Sequence, residues 1–350
     1  MEITCDMIPQ QNLEIPSLLL KKTTGSLRHT THWNGGICEF DNKYFLAYRS
    51  EQEPVCTNPR LHIVELDRKM IPIPETNVTL DCRATKQTWR VDYAGRCHKN
   101  HQFRAEDPRL CAVGDTLYMV WTDGFKIYYS ALILRYGQEI NGIKRLSSAL
   151  LLNQHIPRPP WVSELAKNPN YDGRTKNWSP FRHNNKLHVI FSYEPFVTCR
   201  LDGPKTCDVV KYDVKLDWKW GFVKGGTQAV VLDKERYVTF FHSSMRHEGS
   251  EIFYYMGAIT FSRETLEPME ISRYPILAPY PEDNGPQILF PAGVIDKGDH
   301  FVISYGYNDK CIKLMAYPKE YLEYNLRPIQ GEQCTNPQSA SETDQKSQDM

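Results

Sequence analysis

Asp107-Pro108-Arg109-Leu110-Cys111-Ala112-Val113-Gly114-Asp115-Thr116-Leu117-Tyr118-Met119-Val120-Trp121 holds two β-prone runs around a Gly-Asp turn and reads as a β-hairpin. The layout occurs five times. Units open at Asn34, Asp107, Asn177, Thr227 and Pro291, and ten residues after each a second run begins: Tyr44–Tyr48, Leu117–Trp121, Leu187–Phe191, Tyr237–Phe241 and Phe301–Tyr305. Every second run ends on an aromatic at the same offset. Turn residues lie between the two runs, namely Asp41-Asn42-Lys43, Gly114-Asp115, Asn184-Asn185, Asp233-Lys234 and Asp296-Lys297-Gly298. The units open 50 to 73 residues apart, which leaves room in each for two further strands. That pattern predicts an all-β fold, a five-bladed β-propeller with irregular outer strands. A β-sandwich also uses short aromatic strands, and periodicity alone admits it; the shared offsets favour the propeller.

The expected organisation is an N-terminal extension over 1–28, the propeller over 29–329, and a disordered tail over 330–350, where Gln, Ser, Thr, Glu and Asp leave almost nothing apolar. Leu146 to Asn170, with Pro157, Pro159 and Pro160, reads as a short helix followed by a long inter-blade loop. The 42 basic and 42 acidic residues cancel, so no electrostatic footprint for nucleic acid or an anionic membrane is visible. A small or neutral partner is expected. Aromatics form 12% of the chain; most should fill the core, and their faces also suit stacking against sugar rings.

The longest apolar stretch near the N-terminus, Leu18-Leu19-Leu20, stops at Lys21-Lys22, so neither a secretory signal nor a membrane span fits there. Ten scattered cysteines without a Cys-x-x-Cys spacing read as reduced thiols of a cytoplasmic protein, with Cys199 and Cys207 the pair to check for a disulfide. His29, His32, His98 and His101 supply no compact ligand set, so no metal is expected. Neither a Gly-rich phosphate loop before a helix nor a Gly-x-Ser-x-Gly elbow is present.

In a propeller the innermost strand of each blade lines the central channel, and its leading end delivers side chains to one face. The five openings therefore predict a ring: Asn34 with Gly35-Gly36, Glu106-Asp107 with Arg109, Lys176-Asn177-Trp178, Lys224 with Gly225-Gly226-Thr227, and Phe290-Pro291 with Gly293. Taken singly, each has a plain structural explanation as a turn, a close backbone approach or a solvated charge. Convergence at one repeat phase favours a site.

At these residues the chain resembles glycoside hydrolase family 130 and the related glycosyltransferase family 108. The resemblance rests on Ala105-Glu106-Asp107-Pro108-Arg109, Lys176-Asn177-Trp178-Ser179-Pro180-Phe181, Lys224-Gly225-Gly226-Thr227, Phe241-His242 and Ser304-Tyr305-Gly306-Tyr307-Asn308-Asp309. It implies a five-bladed propeller that acts on β-mannosides with inversion, with Asp107 as general acid. It further implies substrate positions at Asn34, Arg49, Glu106, Arg109, Asn177, His242 and Asp309, and basic residues on the phosphate or acceptor side at Lys176 and Lys224. No cofactor is implied, although inorganic phosphate is a co-substrate of the phosphorylases.

One departure bears on the acceptor. Where the phosphorylases tend to carry Arg before Pro, this chain has Tyr193-Glu194-Pro195. A carboxylate repels phosphate and offers it no donor, whereas it can activate water. An inverting hydrolase needs such a second carboxylate about 6.5–9.5 Å from its acid. The alternative for Glu194 is a structural ion pair with Arg182 or Arg200. Water, phosphate and a second sugar thus remain as acceptors, with water slightly favoured, and a non-catalytic propeller that binds carbohydrate or protein is the reading from another class.

Overall fold

The computed structural model describes residues 12–14, 29–52, 57–82, 90–91, 97–98, 105–122, 127–140, 142–155, 177–201, 209–246, 252–279 and 287–329. Strands dominate, and five sheets are arranged as a five-bladed β-propeller. Blade one runs outward through His29–Phe40, Lys43–Gln52, Thr57–Leu66 and Val78–Thr79. Blade two uses Glu106–Val113, Thr116–Thr122, Ile127–Ile140 and Ile143–His155, and blade three Ser179–His183, Lys186–Tyr193, Phe196–Arg200 and Val209–Tyr212. Blade five is built from Leu289–Asp296, His300–Tyr307 and Cys311–Pro318.

What closes the ring is visible in the side chains. Strand alternation sends Leu117, Met119 and Trp121 to one face of blade two, against Phe45, Ala47 and Ile63 of blade one. Val120 and Tyr129 leave by the other face, against Val189 and Phe191 of blade three. Phe181 and Phe196 then meet Phe241 and Phe261 of blade four, and Phe240 and Met256 meet Phe301 and Ile303 of blade five. Ile295 and Ile312 return to Ile37 and Leu46 of blade one. Both faces of every blade are apolar, which a two-layer sandwich with one solvated face per sheet does not require.

The repeat offset appears as hydrogen-bond register. Gly36 faces Ala47, Arg109 faces Val120, Ser179 faces Ile190 and Gly293 faces Ser304, the same position in four blades. Blade four departs from it. Its inner edge is split into Phe222–Lys224 and Val230–Val231, both paired with Arg236–Arg246, and the register there is shifted by one residue, with Val230 facing Val238. Ile252–Ser262 and Pro268–Ser272 complete that sheet, and Leu326–Pro328 joins it after the short helix Lys319–Asn325.

Two expectations need correction. Asn12–Glu14 pairs antiparallel with Cys311–Pro318 as the outer strand of blade five, so part of the expected extension over 1–28 belongs to the propeller. Leu146 starts no helix: Ile143–His155 is a strand paired along Ile127–Ile140, because burial of Leu146 and Ala149 against blade one outweighs the helix propensity of a Leu- and Ala-rich run. Residues 156–176 and the tail from 330 lie outside the described residues, as does Cys207, the other member of the cysteine pair; Cys199 is buried in blade three. No helix among the described residues is long and apolar enough to cross a membrane.

A buried side chain links the inner strands of three blades. Gln228 of blade four donates through Nε2 to the carbonyl oxygens of Ile37 in blade one (2.9 Å) and Val294 in blade five (2.7 Å), and accepts from Val294 N (3.2 Å). One amide side chain thereby ties three blades together.

Candidate active site

Three openings share an unusual backbone. Asn34, Asp107 and Asn177 have φ of 50°, 53° and 68°, the left-handed region that Asn and Asp tolerate better than other non-glycine residues. In blades one and two a register shift lies at that point, between Trp33 and Gly36 and between Glu106 and Arg109. Such a bulge bends the strand and re-aims one side chain. Here it brings Asn34 and Asp107 together.

Asp107 is almost fully buried, and its Oδ1 accepts a hydrogen bond from Asn34 Nδ2 at 2.8 Å. Arg49 approaches from the second strand of blade one, with Nη1 3.8 Å from both Asp107 Oδ1 and Glu106 Oε2. Its Nη2 pairs with Glu51, and its guanidinium lies 4.7 Å from the centre of the Trp33 ring. Burial opposes the charge of Arg49, but Glu106, Asp107 and Glu51 outweigh it and hold the guanidinium above its ordinary pKa.

Arg109 behaves in the opposite sense. It is fully enclosed, and desolvation pulls its pKa below the usual arginine value despite the nearby charge of Asp107. Its fork reaches across the channel: Nε donates to Gly226 O of blade four, Nη1 to the backbone oxygen of Asp107 at 3.1 Å, and Nη2 to Asn177 Oδ1 of blade three at 3.4 Å. Phe290 of blade five lies under the guanidinium at 5.2 Å. His242 sits 4.9 Å from Phe290, stacks on Tyr254, and donates through Nδ1 to Gly225 O at 2.8 Å. That bond requires a proton on Nδ1.

Asn34, Arg49, Glu106, Asp107, Arg109 and Asn177 thus form one polar network, which His242 joins through Gly225 and Phe290. Lys224 faces His242 across the blade-four ladder. Asp309 lies in the turn after His300–Tyr307, at the same end of blade five. Glu194 lies in the turn joining the second and third strands of blade three, where its Oε1 accepts from Leu216 N at 2.5 Å. Burial raises its pKa, opposed by that hydrogen bond and by Lys215. That hydrogen bond fixes one carboxylate oxygen of Glu194. Lys176 lies outside the described residues. No group of His, Cys, Asp and Glu among the described residues has the geometry to hold a metal.

Sequence reasoning missed Trp33, Glu51 and Tyr193. Glu51 follows Arg49 by two positions on one strand, so alternation alone puts both on the same face. Tyr193 bonds Ser179 Oγ at 3.0 Å beside Arg109, and burial pushes its hydroxyl up to about 12.

A five-bladed propeller with carboxylates and guanidinium groups gathered at one end of its channel is the class that fold and site define. Its overall shape is shared with a β-1,2-mannobiose phosphorylase from Listeria innocua, with a TM-score of 0.56, 13% identity, and coverage of 90% of this chain and 99% of that one. A second similar structure is described by the statement that the GH130 family of mannoside phosphorylases contains glycoside hydrolases that target β-1,2 mannosidic linkages in Candida mannan; the TM-score is 0.52, at 14% identity, over 87% of this chain and 88% of that one. No family model matches the chain, and no curated protein matches it.

Proposed function

We propose that the protein is a carbohydrate-active enzyme that cleaves β-mannosides with inversion, with Asp107 as general acid. The observation that carries this reading is the Asp107 carboxyl group itself. It is nearly buried at the channel mouth and surrounded by Asn34, Arg49 and Glu106. A binding module has no need of an enclosed titratable group in that place, while an enclosed, oriented carboxyl group can transfer a proton to a leaving oxygen. Arg49, Asn34 and Asn177 offer the donors and acceptors that sugar hydroxyls require, with Asn177 held by the enclosed Arg109, and Phe290 and Tyr254 offer apolar faces. The resemblance in motif order and the shared fold of the mannoside phosphorylase from Listeria innocua support the β-mannoside as substrate class. Soluble oligosaccharide is the expected partner, in the cytoplasm.

Water is the proposed acceptor, with Glu194 as its base. Leu216 N fixes one carboxylate oxygen, and the raised pKa gives a stronger base than an exposed glutamate. One observation favours phosphate instead: Lys224 and His242 stand opposite each other at the leading end of blade four, where cationic and hydrogen-bonding groups suit an anion. Incubation with β-1,2- and β-1,4-mannooligosaccharides, with and without phosphate, separates the readings. Mannose released without phosphate and lost in Glu194→Gln supports hydrolysis. Strict phosphate dependence assigns phosphorolysis, chain extension from a mannose-1-phosphate or nucleotide-mannose donor assigns transfer, and no turnover with retained sugar binding assigns a lectin.

A further inference from the structure

Three carboxylates surround Arg49, and its contacts with them are unequal. Arg49 Nη2 is in direct contact with Glu51, whereas Nη1 stands 3.8 Å from Glu106 and 3.8 Å from Asp107, beyond hydrogen-bond range. Glu51 has no exposed surface. Arg49 and Glu51 alternate onto one face of Lys43–Gln52, and Trp33, directly opposite Arg49 in the ladder, supports the guanidinium with its ring. Asp107 takes its short hydrogen bond from the neutral amide of Asn34.

We propose that Glu51 is a positioning residue for the proton donor: it anchors Arg49 within blade one, so that the guanidinium bridges Glu106 and Asp107 without closing onto Asp107. This rests on the reading of Asp107 as general acid. A guanidinium free to pair bidentately with a carboxylate does so, and the pair stabilises the ionised form. A general acid needs its protonated form, so a closed Arg49–Asp107 pair works against turnover. Among the described residues, the charged and titratable groups facing this corner are Arg49 and Glu51 from blade one, Glu106 and Arg109 from blade two, and beyond Arg109, Tyr193 from blade three and His242 from blade four. Of these, Glu51 is in direct contact with Arg49 and belongs to the same strand, which makes it the anchor.

Glu51→Gln keeps the shape and removes the charge. In the folded variant the carboxyl carbon of Asp107, followed by carbon-13 NMR, is expected to titrate about one unit lower than in the wild type, as for a carboxylate that gains a closer cation. The alkaline limb of kcat moves to lower pH in parallel, while KM changes little. A folded Glu51→Gln in which Asp107 titrates as in the wild type overturns the proposal, because Glu51 then serves only the stability of the strand. A second measurement does not depend on how that variant folds. In Asp107→Asn, nitrogen-15 spectra of the Arg49 guanidinium are expected to retain hindered rotation, since Glu51 still holds it. Release of Arg49 in Asp107→Asn identifies Asp107 as the anchor and overturns the proposal equally. Both spectra need no substrate, so a protein that turns over no mannoside refutes the catalytic reading while the spectra still decide what holds Arg49.

Discussion

Asn34 Nδ2 donates to Asp107 Oδ1 at 2.8 Å, and both residues hold a left-handed backbone, with φ of 50° and 53°. The pair is 73 residues apart in the chain. Each sits at the same phase of its own blade, and the same backbone excursion turns each toward the same axis.

Asp107→Asn is the direct test of the acid. Asparagine keeps the shape and tolerates the positive φ, but it has no titratable proton. Turnover of an unactivated mannoside is expected to fall on the order of 10²–10⁴-fold, with sugar binding measured by calorimetry largely retained. Wild-type turnover would remove Asp107 from the chemistry.

Asn34 separates hydrogen bonding from backbone strain. Asn34→Gly keeps the left-handed conformation and deletes the amide, so activity is expected to drop with a small change in melting temperature. Asn34→Ala also places a Cβ residue in a region that costs about 1–2 kcal/mol. It should melt below the glycine variant. Equal melting points would show that the backbone relaxes and that strain at this position is not real.

Two glycines are expected to respond differently to alanine. A Cβ on Gly306 would lie 2.3 Å from Asn34 Oδ1, a side-chain atom that can be displaced, so Gly306→Ala should fold and lose activity by disturbing Asn34. A Cβ on Gly293 would lie 2.0 Å from Ile37 N and 2.8 Å from Gly36 C, where two inner strands meet backbone to backbone. Gly293→Ala should fail to give a cooperative folded protein. Circular dichroism melts and activity on the same preparations distinguish the two outcomes.

Glu194 gives a pH dependence of stability. Burial raises its folded-state pKa above the ordinary value of 4.5, so the native protein binds more protons than the unfolded chain between the two values. The stabilisation from this group is fully present below the unfolded pKa and is lost as pH rises through the folded one. Glutamine has no such dependence. The melting temperature of the wild type should therefore fall relative to that of Glu194→Gln as pH rises from about 4 to 8. A difference that is constant with pH would show that Glu194 titrates normally.

The blade count was legible because strands that repeat around one axis must repeat their turn positions and aromatic contacts. Tyr48, Trp121, Phe241 and Tyr305 lie in the inter-blade cores as their shared offset predicted. The partners of Asp107 were partly legible for the same reason: Asn34 has the same phase in the next blade, and Arg109 lies on the same strand. The hydrogen bond from Leu216 N to Glu194 was not legible, since no side-chain pattern announces a backbone amide. Ile143–His155 was misread because local Leu and Ala content favours a helix, and only the facing strand Ile127–Ile140 converts it to sheet. The slipped register of blade four was hidden by a Gly-Gly-Thr break that reads as an ordinary turn.

The strand Asn12–Glu14 lies against Cys311–Pro318, and thus joins segments about 300 residues apart. During synthesis this segment leaves the ribosome about 300 residues ahead of the edge that it covers. It therefore waits without its partner strand, and the ring can be clasped only after the other strands of blade five exist. Docking of this short segment is a late event, and its failure would leave an open strand edge at which a neighbouring molecule could pair.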